Sequence, residues 1–114
     1  MHYMLAIVYD HSIPSDGSPS KQPEHAKLEQ EMREKGQYVS GGGLAPVDRF
    51  VKNVRHESSG VVVTDGPFAE TREVLGGYFV VECSADEALE WAKRIPVENR
   101  SYVQVRALGV YRPA

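Results

Sequence analysis

One cysteine, Cys83, stands in 114 residues, so no disulfide can form within the chain and a cysteine metal cage is excluded. A reducing, cytoplasmic setting is the expectation. There is no excess of positive charge: thirteen Lys and Arg against sixteen Asp and Glu leave a formal charge of −3, and the basic residues are dispersed. The footprint of a nucleic-acid binder is therefore missing. Long hydrophobic runs are missing too. The apolar start "MHYMLAIVYD" breaks at Asp10 and has no basic lead, which reads as neither signal peptide nor membrane span. The four histidines fall at no metal-ligand spacing, and no nucleotide or cofactor motif occurs, so neither a metal nor a cofactor is expected.

The chain that remains is long enough for a single domain, 1–114, with a modest core of its own. "YMLAIVY" is apolar at both parities and reads as a strand covered on two sides. "DHSIPSDGSPSKQ" reads as a mobile loop. "PEHAKLEQEMREKG" follows as a helix, with Pro23 in its first turn, Gly36 at its end, and His25 sharing the stripe of Leu28 and Met32. "QYVSGGGLAP" reads as a strand entering a glycine corner, and "RFVKNVRH" with "GVVVTD" as a hairpin. In "LGGYFVVEC" the paired glycines predict a bulge or close backbone approach before another two-sided strand. "SADEALEWAKRIP" has capping-box spacing between Ser84 and Glu87 and an inward stripe of Ala85, Ala88, Leu89 and Ala92, and "SYVQVRALGVY" closes the domain as a strand.

This order is βαββαβ with an inserted β-hairpin, an α+β, ferredoxin-like pattern with both helices on one face of the sheet. Because the strands are apolar on both sides, the second face must also leave water, and pairing of two copies into a homodimer is the economical solution.

Two residues stand out for chemistry. His25 lies in the first helical turn, where the helix dipole favours the neutral ring that a general base needs; the alternative is a packed histidine bonded to a backbone carbonyl. Asp65 ends a strand ahead of Gly66-Pro67, where it is either a turn former or a carboxylate orienting an imidazole. Phe68, apolar where a turn would take a polar residue, fits a pocket wall, and Arg55 is either solvated or placed to meet an anionic substrate. The arginines near the C-terminus, Arg94, Arg100, Arg106 and Arg112, read as surface, and Cys83 as core.

"VTDGPFAETREVLGGYF" resembles the signature of the DGPF proteins, a branch of the YCII-related family, and the likeness extends through "HYMLAIV", "SGGGL" and "ADEALEWAKRIP". The resemblance implies a dimeric α/β barrel and a cleft for a small organic molecule, with His25 and Asp65 as an acid/base pair and Phe68 and Tyr78 lining the pocket. A lyase, isomerase or hydrolase step suits such a pair. It also implies a possible association with a sigma factor, as a non-catalytic ligand-binding or regulatory module. The chain departs from the wider YCII pattern in having Ile95-Pro96 where an Asp-Pro pair closes the second helix, so Asp65 stands as the substitute carboxylate.

Overall fold

The two-sided apolar pattern of the first segment puts β1 (His2–Asp10) inside a sheet, and the computed structural model, which describes residues 1–114, has it between two neighbours. The chain continues through α1 (Gln22–Glu34), β2 (Tyr38–Gly43), β3 (Lys52–Glu57), β4 (Gly60–Asp65), β5 (Glu73–Glu82), α2 (Ala85–Arg94) and β6 (Ser101–Ala107). Four strands form an antiparallel sheet in the order β2-β5-β1-β6, while β3 and β4 form a separate two-stranded sheet. The mixed α+β class and the inserted hairpin agree with the sequence.

The expected barrel does not. Neither sheet closes on itself, and β2 and β6 remain free edges of the larger one. The other two strands lie in a sheet of their own and cap neither edge, so no barrel closes in the structure. The dimeric α/β barrel is therefore corrected to an open sheet with a hairpin beside it. The barrel was an implication of the family resemblance; apolar side chains on both parities demand cover but do not dictate closure.

One face of the sheet carries the core. Leu5, Phe79 and Val81 meet Leu28 and Met32 of α1 and Ala88 and Trp91 of α2, with Ile95 at the end of α2. Each α1 contribution is spaced as a helical stripe requires, and His25 lies half-buried one turn ahead of Leu28. Helix α2 starts on the capping box: Ser84 Oγ accepts from the Glu87 amide, and the Glu87 carboxylate accepts from the Ser84 amide. Leu89, expected inward, is exposed instead, and Trp91 takes the buried place with its indole donating to Gln37 at 2.7 Å. A large ring with one donor fills that position better than leucine because Gln37 supplies the acceptor.

The opposite face is uncovered. Register aligns Val80, Met4 and Arg106 in one row, Tyr78, Ala6 and Gln104 in the next, and Leu75, Val8 and Tyr102 in a third. Leu75 and Tyr102 are exposed, although Ala6 and Val80 are shielded by their larger neighbours. Between the second and third rows the pairing slips by one residue at Gly76, the bulge that the paired glycines predicted. A Cβ on Gly77 would sit 3.0 Å from the Gly42 carbonyl oxygen, and one on Gly76 equally close to the Tyr9 ring.

The hairpin stands apart. Its strands make no substantial contact with any other helix or strand, and the chain's radius of gyration, 16.1 Å, exceeds the roughly 13 Å of a compact domain this size. One side of the ribbon holds Val54, Val61 and Val63, at 59%, 61% and 59% exposure, between His56 near its tip and Lys52 and Asp65 at its root. On the other side Arg55 stacks its guanidinium 5.3 Å from the centre of the Phe68 ring.

Candidate functional site

A hollow of about 610 Å³ opens at the end of the sheet where β1 and β2 finish and α1 begins. Its floor is backbone: Gly41, Gly42 and Gly43 of β2 lie beside Gly76 and Gly77 of β5, joined by the antiparallel ladder. Four of the five have little room for a side chain: a Cβ on Gly41, Gly42, Gly76 or Gly77 would lie 3.0–3.3 Å from a backbone carbonyl oxygen or a tyrosine side chain, whereas one on Gly43 would meet only Gln22, at 3.7 Å. The walls come from Gln22, His25 and Glu29 of α1, from Ile7 and Tyr9 of β1, and from Glu98, Arg100 and Ser101 between α2 and β6. A smaller hollow of about 260 Å³ beside Trp91 has that residue as its single apolar lining, and the ring is only 4% exposed, so the site is sought in the larger one.

His25 is fixed by two contacts. Its Nε2 lies 2.9 Å from the Pro96 carbonyl oxygen, and its ring meets Phe79 edge-on with centroids 6.1 Å apart. A carbonyl can only accept, so Nε2 carries the proton and Nδ1 of the neutral ring keeps the lone pair. The bond to a backbone carbonyl is the one the packed-histidine alternative describes, and Nδ1 makes no hydrogen bond within the chain.

Arg100, read from the sequence as surface, is the wall opposite. Its Nε donates to Glu98 at 2.7 Å, its Nη1 donates to the Ile13 carbonyl at 2.8 Å, and its guanidinium lies 4.9 Å from the centre of the Tyr9 ring. Nη2 makes no hydrogen bond within the chain. Ser15 and Arg100 both donate to Glu98, Ser15 having the larger effect, and hold its carboxyl below the usual carboxylate range. The same contacts, with the Asn99 amide donating to Asp16, pin down the loop that composition marked as mobile. The signal for Arg100 lay in long-range register, because Tyr9 pairs with Ser101 and so brings Arg100 over its ring; no local motif contains it.

The other sequence candidates are distributed differently. Tyr78 borders the hollow, but its ring extends over Gly42 on the uncovered side of the sheet. Asp65, Phe68 and Arg55 belong to the hairpin and its return, outside the lining of the hollow. Asp65 hydrogen-bonds Lys52, which lowers its pKa, first through that bond and then through the ammonium charge, and its side chain is 85% exposed. Within one chain, then, the imidazole and this carboxylate are not hydrogen-bonded to one another. The "DGPF" turn itself is packed tightly: the Gly66 amide donates to Val51 at 2.9 Å, and a Cβ on Gly66 would collide with the Asn53 and Val51 side chains. Nowhere do three His, Cys, Asp or Glu side chains come together as a metal set. No helix is long and apolar enough to cross a membrane.

Comparison with known proteins bears on these residues as a whole. The chain is 35% identical over 121 residues to an uncharacterized protein of Rhizobium meliloti (strain 1021), an alignment that spans 99% of this chain and 96% of that one. A family model described as the YCII-related domain matches residues 1–110. The match is to the broad family, so the narrower DGPF assignment drawn from "VTDGPF" is corrected to it; that short stretch forms a hairpin root, a local feature that does not by itself define a branch. With the match running from the first strand through the last, the chain belongs to the YCII-related family.

Proposed function

We propose that this protein binds a small organic molecule in the hollow beside His25. The observation that carries the reading is the half-satisfied imidazole: Nε2 is committed to Pro96 while Nδ1 is left as an acceptor on the wall of a hollow of ligand size. Arg100 Nη2 supplies a donor on another wall, so the hollow has hydrogen-bond handles of both kinds around an apolar side formed by Ile7, Leu44 and Phe79. A homodimer is the proposed working form, since the rows of Met4, Val8, Leu75 and Tyr102 otherwise stay in water.

Acid/base catalysis is the second reading, favoured by the lone pair on Nδ1. In that reading His25 alone moves the proton, in a lyase, isomerase or hydrolase step, and Asp65 joins it only when another copy brings the hairpin near. The regulatory module, with or without a sigma-factor partner, shares the binding step and lacks the proton transfer.

Thermal melting of the wild type and of His25→Ala across a library of small organic acids and amides tests the reading. A true ligand at about a hundredfold over its dissociation constant stabilises by about 2.7 kcal/mol, and the shift should vanish in His25→Ala. A ligand that stabilises both proteins equally places binding elsewhere and overturns the proposal.

A further inference from the structure

We propose that the hollow selects a neutral carbonyl compound with an N–H or O–H group of its own, such as an amide, lactam or hydroxy lactone, over the matching carboxylate, and that Glu98 sets this choice through Arg100. The inference rests on the binding reading above and names the class of guest.

The charges around the hollow carry it. Its lining holds one arginine, Arg100, and two carboxylates, Glu29 and Glu98. The guanidinium is already matched: Nε donates to Glu98 at 2.7 Å, and the two side chains are only 21% and 20% exposed. Ser15 donates to the other oxygen of the same carboxylate, so Glu98 is tethered on both sides and does not turn away to admit a second anion. A guest carboxylate at Arg100 would therefore share one cation with Glu98 in a partly closed site, where like charges side by side are strongly disfavoured. Glu29 adds another negative charge to the lining, and its partner, Arg33 at 3.1 Å, lies outside it.

What the guanidinium offers instead is a fixed donor. Nη1 donates to the Ile13 carbonyl at 2.8 Å and the group lies over the Tyr9 ring, which leaves Nη2 held in place beside a charge that is already neutralised. A carbonyl oxygen suits such a donor, because a neutral acceptor gives up less hydration than an ion does. His25 Nδ1 is the complementary acceptor for the guest's N–H or O–H. An ammonium would satisfy Nδ1 and repel Arg100, and both carboxylates that could hold it are bonded to arginines. Ile7, Leu44 and Phe79 face the carbon skeleton.

The test is a proton–nitrogen NMR titration of the full chain at about pH 8, where small carboxylic acids are ionised. The probes are benzamide against benzoate, nicotinamide against nicotinate and δ-valerolactam against pentanoate, with benzylamine as the cation. A neutral probe should bind at least about tenfold more tightly than its acid and than benzylamine. Glu98→Gln leaves the guanidinium unmatched, so acid binding should rise about tenfold while amide binding changes by less than about threefold. Should that variant fail to fold, Ser15→Ala, which removes the second tether of Glu98, should raise acid binding in the same direction. An acid or benzylamine that binds the wild type as tightly as the amides, with binding lost in His25→Ala, overturns the class and leaves the hollow standing as the site. Binding that is unchanged in His25→Ala overturns both. An acid-to-amide ratio that stays at the wild-type value in Glu98→Gln or Ser15→Ala overturns the role of Glu98. No binding by any neutral probe at about 10 mM, the range of weak fragments, overturns the class, and the thermal-melting library then decides the site.

Discussion

His25 Nε2 and the Pro96 carbonyl oxygen, 2.9 Å apart, join the first turn of α1 to the segment that leaves α2. The bond spans 71 residues of sequence and fixes which nitrogen of the ring faces outward. Replacing His25 by Ala should therefore have two effects that separate. Stability should fall by about 1 kcal/mol, as for one partly buried hydrogen bond, read by urea unfolding. Ligand-induced stabilisation should disappear altogether.

A different kind of strain is expected at the floor of the hollow. Gly77→Ala places a methyl 3.0 Å from the Gly42 carbonyl oxygen, a backbone atom of the neighbouring strand that cannot swing aside. Destabilisation of about 1–3 kcal/mol follows from overpacking of this kind. Gly109→Ala is the control, since nothing lies within 4 Å of its Cβ, and its change should stay within about 0.5 kcal/mol. Equal melting temperatures for the two variants would contradict the close β2–β5 approach.

Acid should loosen the first loop. Ser15 and Arg100 lower the pKa of Glu98 below its ordinary value of 4.5, so the unfolded chain takes up that proton more readily than the folded one. The stabilisation is thus complete above the ordinary value and is lost as pH falls through the lowered one. Hydrogen exchange at the amides of Gly17 and Asn99 should accelerate in that window, and Glu98→Gln should reduce the pH dependence at Gly17, leaving at Asn99 the part that belongs to Asp16, whose carboxyl is also held low, first by Ser18. Exchange that is flat through the window would mean that the carboxylate does not hold the loop.

The start of α2 offers a calibration of the fold's smaller contributions. Ser84→Ala removes the acceptor for the Glu87 amide while keeping the backbone amide that donates back to the Glu87 carboxylate. A loss of about 1 kcal/mol is expected, with no change in ligand response, because neither residue borders the hollow.

What the sequence disclosed followed the range of the interaction. The capping box, the His25–Leu28–Met32 stripe and the bulge at the paired glycines are set by neighbours a few residues apart, and each could be read directly. Arg100 could not, because its place depends on the β1–β6 register and on Tyr9, ninety-one positions earlier. Leu89 was read as inward and is exposed, while the acceptor that lets the Trp91 indole be buried is Gln37, on the approach to β2. Asp65 was singled out for the unusual company of Phe68, yet that ring is accounted for by Arg55 across the ribbon. The uncovered sheet face was legible as a need for cover, and the geometry of the cover was not.

A surface made of peptide groups alone has a consequence for how this chain's recognition could be altered. Of the five glycines, Gly41, Gly42, Gly76 and Gly77 leave almost nothing on the bottom of the hollow that substitution can alter without crowding a neighbouring strand or tyrosine; Gly43 alone has room. New recognition must accordingly be written around the perimeter, at positions such as 22, 29 and 98, which can change while the base beneath any guest stays the same.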